Sequence, residues 1–440
     1  LLPYLVALVA AGFPLLFLDY VVGQKYKGAP PTAYRRMIKS AEGIGWWQVA
    51  VCSIIGIYYA SVLSWAGHYT LYAFTQAWGQ DPGQFFEATY LQAGSGLDFT
   101  IVPHLFVDIV LVWAVVMFIM YGGVRKGVEL VNRICIPLLI LMFGVMVFKA
   151  SQLEGASVGL DALFAPNWEK MTDPKVWLAA FSHVFFSMSI GFGIMVTYAS
   201  YLNRNANLTG SGLVVGFANS SFEILAGVGI FSVLGFMATA TNVPVQEVAK
   251  GGPGLAFVAF PKIISTMGDS GTLIGVLFFG SLFAAGLTSM ASIVQVPISA
   301  VKDKFGWSHK KAVTVVGGVS ALISVFLFST KTTITFVDIV DNFANNIGIV
   351  LGAILSIIWV TWFNRPVAEK LVAHINAISS FKVGKIWLFM LTIVTPSALI
   401  TALVLTLKEL LTKGYGEYDV LTQVIFGWGV VAFFALVALV

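Results

Sequence analysis

Apolar runs long enough to cross a bilayer follow one another along nearly the whole chain. About 18 consecutive apolar residues suffice to carry a helix through hydrocarbon, where the backbone has no other hydrogen-bond partner than itself. Eleven such segments are expected, at 1–23, 44–79, 102–121, 130–150, 176–202, 211–241, 271–301, 312–329, 334–363, 386–407 and 420–440. Several exceed what a bilayer requires, which implies tilt or extension into loops. The fold class is therefore an all-α polytopic membrane protein. Composition agrees, with 58% apolar and 10% charged residues, against about a quarter charged in ordinary soluble domains.

Between the spans, residues 30–40 read as a short interfacial helix whose basic face carries Arg35, Arg36 and Lys39. The 242–270 region holds Gly251, Gly252, Pro253, Gly254 and Pro261. It is too broken to span and reads as a helical hairpin dipping toward the core. Cys52 and Cys135 both lie in apolar runs, so neither a disulfide framework nor a thiolate metal site is implied. The net charge of +4 is spread over loops and is no nucleic-acid signal.

Alternate loops gather every arginine and most lysines: Lys25 to Lys39, Arg125 to Arg133, Arg204, Lys302 to Lys311, and Arg365 to Lys385. The opposite loops gather Asp81, Glu87, Asp98, Glu154, Asp161, Glu169, Asp173, Glu247 and Asp269. Basic loops mark the cytoplasmic side. Leu1 then falls outside, and the sequence is read as lacking one upstream helix.

Polar groups at mid-membrane depth are where a transporter binds its cargo. In Phe185–Gly193 two glycines flank Phe192 just after Ser187 and Ser189. A break there would free carbonyls for a cation and amides for a carboxylate; a small-residue packing face is the alternative. In Ala284–Ser289, adjacent hydroxyls and a small-residue carbonyl suit sodium, or the hydroxyls bond back to their own helix. Asn219 and Glu223 share a helix face, and Glu223 is read as buried without a cationic neighbour. Asp341, with Asn342, Asn345 and Asn346 nearby, is weighted above the interfacial Asp338. Gly127 and Pro137 mark either a gate or a tolerated kink.

Ser187–Phe192, Ala285–Ser289, Ile57-Tyr58-Tyr59, Gly252-Pro253-Gly254-Leu255 and Asp341 together resemble the neurotransmitter:sodium symporters. The likeness is strongest to their bacterial amino-acid transporters of the leucine-transporter type, and it covers essentially the whole chain from Leu2-Pro3-Tyr4 onward. It implies two inverted repeats of five helices plus two more. Residues 1–150 would be the first repeat without its first helix, 176–363 the second, and 386–440 the extra pair.

The resemblance also implies roles. Tyr59 would bind the substrate carboxylate, and Ile55, Phe186, Ser189, Phe192, Ser289 and Ile293 would line the side-chain pocket. Ser187 and Asn219 would serve one sodium site, and Ala285, Thr288 and Ser289 a second, each completed by the missing first helix. Glu223 would replace chloride, since chloride-dependent members resemble one another in having serine there. Asp341 would close the outer gate, Asp303 and Tyr201 would latch the inner one, and Gly127 and Pro137 match the inner-gate spacing. His183 stands where a glutamine is usual and reads as a packing histidine.

The implied activity is sodium-coupled import of aliphatic or aromatic L-amino acids by alternating access, independent of chloride, in a plasma membrane. Proton coupling is an alternative, as is a non-transporting sensor, which should carry a long regulatory tail. An enzyme would need a nucleophile and base or metal ligands. No His-Glu-x-x-His, Gly-x-Ser-x-Gly or paired catalytic carboxylates occur. The partners implied are an amino-acid substrate and the lipid bilayer, with neither nucleic acid nor an obligatory protein partner.

Overall fold

The computed structural model describes residues 1–94, 96–248 and 252–440. Among these, helices dominate and no strand forms beyond an isolated bridge between Ile101 and Thr330. Ten helices among the described residues are long and apolar enough to cross a membrane. They are α1 (Leu2–Tyr26), α3 (Lys39–Ala73), α4 (Pro103–Tyr121), α5 (Lys126–Ala150), α8 (Leu208–Thr241), α9 (Ser270–Phe305), α10 (His309–Phe328), α11 (Thr333–Phe363), α12 (Lys385–Lys413) and α13 (Val420–Ala438). Three shorter helices complete the set used below: α2 (Pro30–Met37), α6 (Pro174–Ser187) and α7 (Ile194–Ser200).

The eleventh expected span, 176–202, is not one helix. It divides into α6 and α7, with residues 188–193 outside helical geometry. Average hydropathy counts this stretch as continuous because the interruption is itself apolar apart from one serine. The break is a matter of backbone conformation, which hydropathy does not register.

Burial separates core from periphery. The apolar windows of α1 and α3 are 78% buried, against 17% for α5 and α13. α3 packs lengthwise on α9, and these 35- and 36-residue helices are each roughly 50 Å long at 1.5 Å per residue. Both outrun the hydrocarbon layer, as expected. α1 packs on α7 with their backbones touching: a Cβ on Gly23 would lie 2.2 Å from the Val196 carbonyl oxygen. Only glycine permits that approach.

The broken region behaves as its composition suggests, although Gly251 lies outside the described residues. Val245–Val248 forms one short helix, and Gly252–Gly254 runs on through a π-helical stretch, Leu255–Ala259, into Phe260–Thr266. Phe257 and Phe260 are buried. Phe257 meets Trp65 and Tyr69 of α3 edge-on, and Phe260 stacks on Phe278 of α9 at 4.1 Å. These contacts tie the loop to the core pair. The interfacial helix is also present, with Pro30, Pro31, Ala33 and Tyr34 buried and Arg35 and Arg36 on its last turn.

Candidate functional site

The site grows from the interruption between α6 and α7. α6 stops at Ser187, and Met188 (φ −81°, ψ 1°) leaves the helical basin. Ser189, Gly191 and Gly193 then take positive φ of 55°, 84° and 88°. Glycine adopts that region at little cost, whereas serine does so at a penalty. Such strain at mid-membrane depth is retained where surroundings enforce it. α7 resumes at Ile194.

The surroundings grip each glycine separately. A Cβ on Gly191 would sit 2.8 Å from the Ala353 Cβ of α11, and one on Gly193 would sit 2.6 Å from Pro30 Cγ of α2. The Cys52 thiol of α3 donates to the Phe192 carbonyl at 3.1 Å.

A cavity of about 350 Å³ opens beside this joint. Six of the seven expected substrate residues line it: Tyr59, Phe186, Ser189, Phe192, Ser289 and Ile293. Phe186 and Phe192 lie parallel across the joint, their centroids 6.5 Å apart. Ile55 is fully buried and is absent from the lining; it packs in the core behind the cavity. The volume suits a molecule of amino-acid size, at the small end of ligand pockets.

Of the expected sodium ligands, Ser187, Thr288 and Ser289 also face the cavity. The Thr288 hydroxyl donates to the Ala285 carbonyl at 2.8 Å. That back-bond fixes the hydroxyl rotor and leaves its oxygen lone pairs free to accept. Asn219 stands one layer back and donates to Ser187 Oγ at 2.7 Å. These oxygens are hard donors of the kind small cations prefer.

Behind Ser187 lies a compact polar cluster. The hydroxyls of Ser187 and Tyr4 both donate to the Glu223 carboxylate. His183 Nε2 stands 3.4 Å from Glu223 Oε1 and meets the Tyr4 ring at 5.7 Å. One expectation is thereby corrected: Glu223 has a basic neighbour, because α6 places His183 one turn before Ser187 on the same side. His183 both packs on the Tyr4 ring and approaches the carboxylate.

The residues assigned to gates occupy separate places. Asp341 accepts from Tyr58 at 2.6 Å and Asn345 at 2.8 Å, and Asp338 from Tyr415 and Tyr418 at 2.9 and 2.8 Å. Asp303 and Tyr201 line one cavity of about 330 Å³. There Asp303 accepts the Ala29 N–H at 2.8 Å, and Tyr201 lies 3.3 Å from Ser299. Pro137 falls inside α5. Gly127 lies in the first turn of α5, where a Cβ would meet the Ile119 carbonyl at 1.9 Å.

Sequence reasoning missed Tyr198 and Ser292, which line the cavity and share a 2.9 Å hydrogen bond. Ser292 follows Thr288 by one helical turn, so the four-residue spacing was a usable signal. It missed Tyr4 as a Glu223 partner because the two are 219 residues apart.

Comparison with known proteins gives a consistent family. The model of the sodium:neurotransmitter symporter family matches residues 1–82 and 79–440. An uncharacterized sodium-dependent transporter of Methanocaldococcus jannaschii is 36% identical over 429 residues, covering 97% of this chain and 86% of the relative. The sodium-dependent serotonin transporter of Drosophila melanogaster is 28% identical over 478 residues, covering 98% and 74%. The sodium- and chloride-dependent taurine transporter of Rattus norvegicus is 26% identical over 466 residues, covering 95% and 73%.

Proposed function

The chain belongs to the sodium:neurotransmitter symporter family, and on that premise we propose that it imports aliphatic or aromatic L-amino acids with sodium, without chloride. It is a multi-pass membrane transporter of a sodium-dependent family, not an enzyme. The observation carrying the finer reading is the joint at residues 188–193 beside a cavity walled by Phe186, Phe192 and Ile293.

A joint of this kind can offer main-chain groups to an α-carboxylate or a cation, and Tyr59 adds a hydroxyl. No carboxylate or basic side chain lines the cavity among the described residues. An uncharged apolar side chain is therefore favoured over a charged one. Sodium would enter as co-transported cargo on the Ser187 and Asn219 side and on the Ala285, Thr288 and Ser289 side. A potential of 100 mV contributes about 2.3 kcal/mol per positive charge carried inward. Glu223 supplies a fixed negative group where a mobile anion would otherwise stand, which supports chloride independence. The basic loops would face the cytoplasm, with Asp341 closing the outer path and Asp303 with Tyr201 the inner one. The two halves, 1–150 and 176–363, would then rock as inverted repeats, with 386–440 outside them.

The relatives named for serotonin and taurine define the test. Proteoliposomes receive radiolabelled leucine, tryptophan, glutamate, lysine, serotonin or taurine, under inward sodium or choline gradients, with chloride or gluconate. Leucine or tryptophan uptake that needs sodium and ignores chloride is the expected result. Uptake of serotonin or taurine alone would overturn the substrate class, and uptake driven by a proton gradient without sodium would overturn the coupling ion.

A further inference from the structure

The C-terminal end of α1 gathers cations that none of the mechanism above uses. Gln24, buried in the last turn of α1, donates through Nε2 to the carbonyls of Asn203 and Arg204 at 2.8 and 2.6 Å. Its Oε1 accepts from His374 Nε2 at 2.7 Å, within the helix Arg365–Ile378. This three-way clip draws Lys25, Lys27, Arg204 and Lys370 into one patch. Lys25 Nζ donates to the Lys370 carbonyl at 2.9 Å, and Lys27 Nζ to the Leu202 carbonyl.

Those acceptors satisfy hydrogen bonds but leave the charge uncancelled, because a carbonyl is neutral. Among the described residues no ion pair includes Lys25, Lys27, Arg204 or Lys370. Glu369, next to Lys370 in sequence, stands 3.8 Å from Arg365 instead. The crowding of like charge is felt by neighbouring groups. Burial, and then the charges of Lys25 and Lys27, hold the His374 imidazole below the usual histidine range. Burial and the Arg204 charge likewise lower Lys27. A patch of this kind is relieved by an anion brought from outside the chain.

Depth selects the anion. Trp362 and Phe363, both exposed, stand immediately before the helix Arg365–Ile378, and Phe381 is exposed just after it. Exposed aromatics bracketing a basic segment at the end of a span mark the headgroup level. The helix buries Ala368, Leu371 and Ile375 along one stripe and leaves Lys370 exposed, so it lies against the bundle with its polar side outward. We propose that Lys25, Lys27, Arg204 and Lys370 form a binding site for the phosphate of an anionic phospholipid in the adjoining leaflet. A phosphate there neutralises cations of three segments at once, whereas a choline headgroup brings its own cation and gains little. With the basic loops toward the cytoplasm the leaflet is the inner one; the proposal takes nothing else from the transport reading.

The test titrates the purified chain, delipidated in neutral detergent, with phosphatidylglycerol or phosphatidylcholine and follows bound lipid by native mass spectrometry. The parent should bind phosphatidylglycerol about tenfold or more tightly than phosphatidylcholine. Lys25→Gln with Lys370→Gln should weaken phosphatidylglycerol about 25-fold, at about fivefold for each charge removed, and leave phosphatidylcholine unchanged. Lys25→Arg with Lys370→Arg keeps both charges and should stay within about threefold of the parent, which separates lost charge from lost folding. Lys408→Gln with Lys413→Gln removes two charges at the opposite end of α12 and should bind as the parent does. A parent indifferent to headgroup charge overturns the proposal. So does undiminished phosphatidylglycerol binding by the Lys25 and Lys370 glutamine pair, a loss shared by phosphatidylcholine, or an equal loss in the Lys408 and Lys413 pair. Displacement of phosphatidylglycerol by equimolar inorganic phosphate would overturn the lipid assignment in favour of a soluble anion. Neither amino acid nor sodium enters the assay, so failure of the transport reading leaves its result intact.

Discussion

Substituting alanine for Gly191 separates the two demands made on the joint. The first is conformational: φ is 84°, and a residue with a Cβ pays about 1–2 kcal/mol to stay in that region. The second is spatial. The new methyl would lie 2.8 Å from Ala353 Cβ, well inside van der Waals contact, and such overpacking costs typically about 1–3 kcal/mol. Together the destabilisation of the joint is about 2–5 kcal/mol. Ala353→Gly removes the clash and leaves the φ penalty. By itself it costs about 1 kcal/mol in helix propensity. The double variant should therefore show a favourable coupling of about 1–3 kcal/mol rather than additive losses.

Cys52 provides the assay, because its buried thiol donates to Phe192 within the joint. In a Cys135→Ser background, the rate at which a maleimide reaches Cys52 reports local opening. Gly191→Ala should accelerate labelling, and adding Ala353→Gly should reverse about 5- to 150-fold of that acceleration, the range equivalent to 1–3 kcal/mol. Additive behaviour, or labelling of Gly191→Ala at the parent rate, would refute the tight fit between Gly191 and α11.

Three further outcomes are expected. Thr288→Ala with Ser289→Ala should abolish the sodium dependence of uptake, read as uptake in sodium minus choline; an unchanged difference sinks the assignment of that cation site. Glu223→Ser should create a chloride requirement, seen as uptake lost in gluconate and restored by chloride, and indifference to chloride would end the substitution idea. Tyr59→Phe removes one hydrogen bond to a charged group, worth about 1.5–3 kcal/mol, so KM should rise by roughly tenfold or more; an unaltered KM would dissociate Tyr59 from the carboxylate.

How much of this was legible in the sequence depended on the physical range of each interaction. The spans were readable because lipid imposes one rule on every residue of a run. The Ser187–Gly193 break was readable as a local event, since glycines at 191 and 193 soften a helix wherever they fall. Counting 176–202 as one span failed for the complementary reason: Met188, Ile190 and Phe192 keep the interruption apolar. Contacts between distant segments left no trace. Tyr4 and His183 converge on Glu223 from two other helices, and neither carries a spacing that announces it. Asp19, buried in α1, passed unnoticed because a lone carboxylate among Phe17, Leu18 and Tyr20 has no periodic partner. The N–H it accepts, that of Gly191, is 172 residues away.

The contact of Gly23 with the Val196 carbonyl carries a mechanical implication. At Gly23 main chain lies on main chain, with only the Ala199 methyl beside it, so no rotamer change at that contact lets the two helices slide. Any swing of the short helix must drag its long neighbour, so the movable part is a two-helix plate rather than a lone half-helix. A tether between the two, for instance a disulfide placed along their seam, should leave the cycle running, because it joins pieces that already travel together.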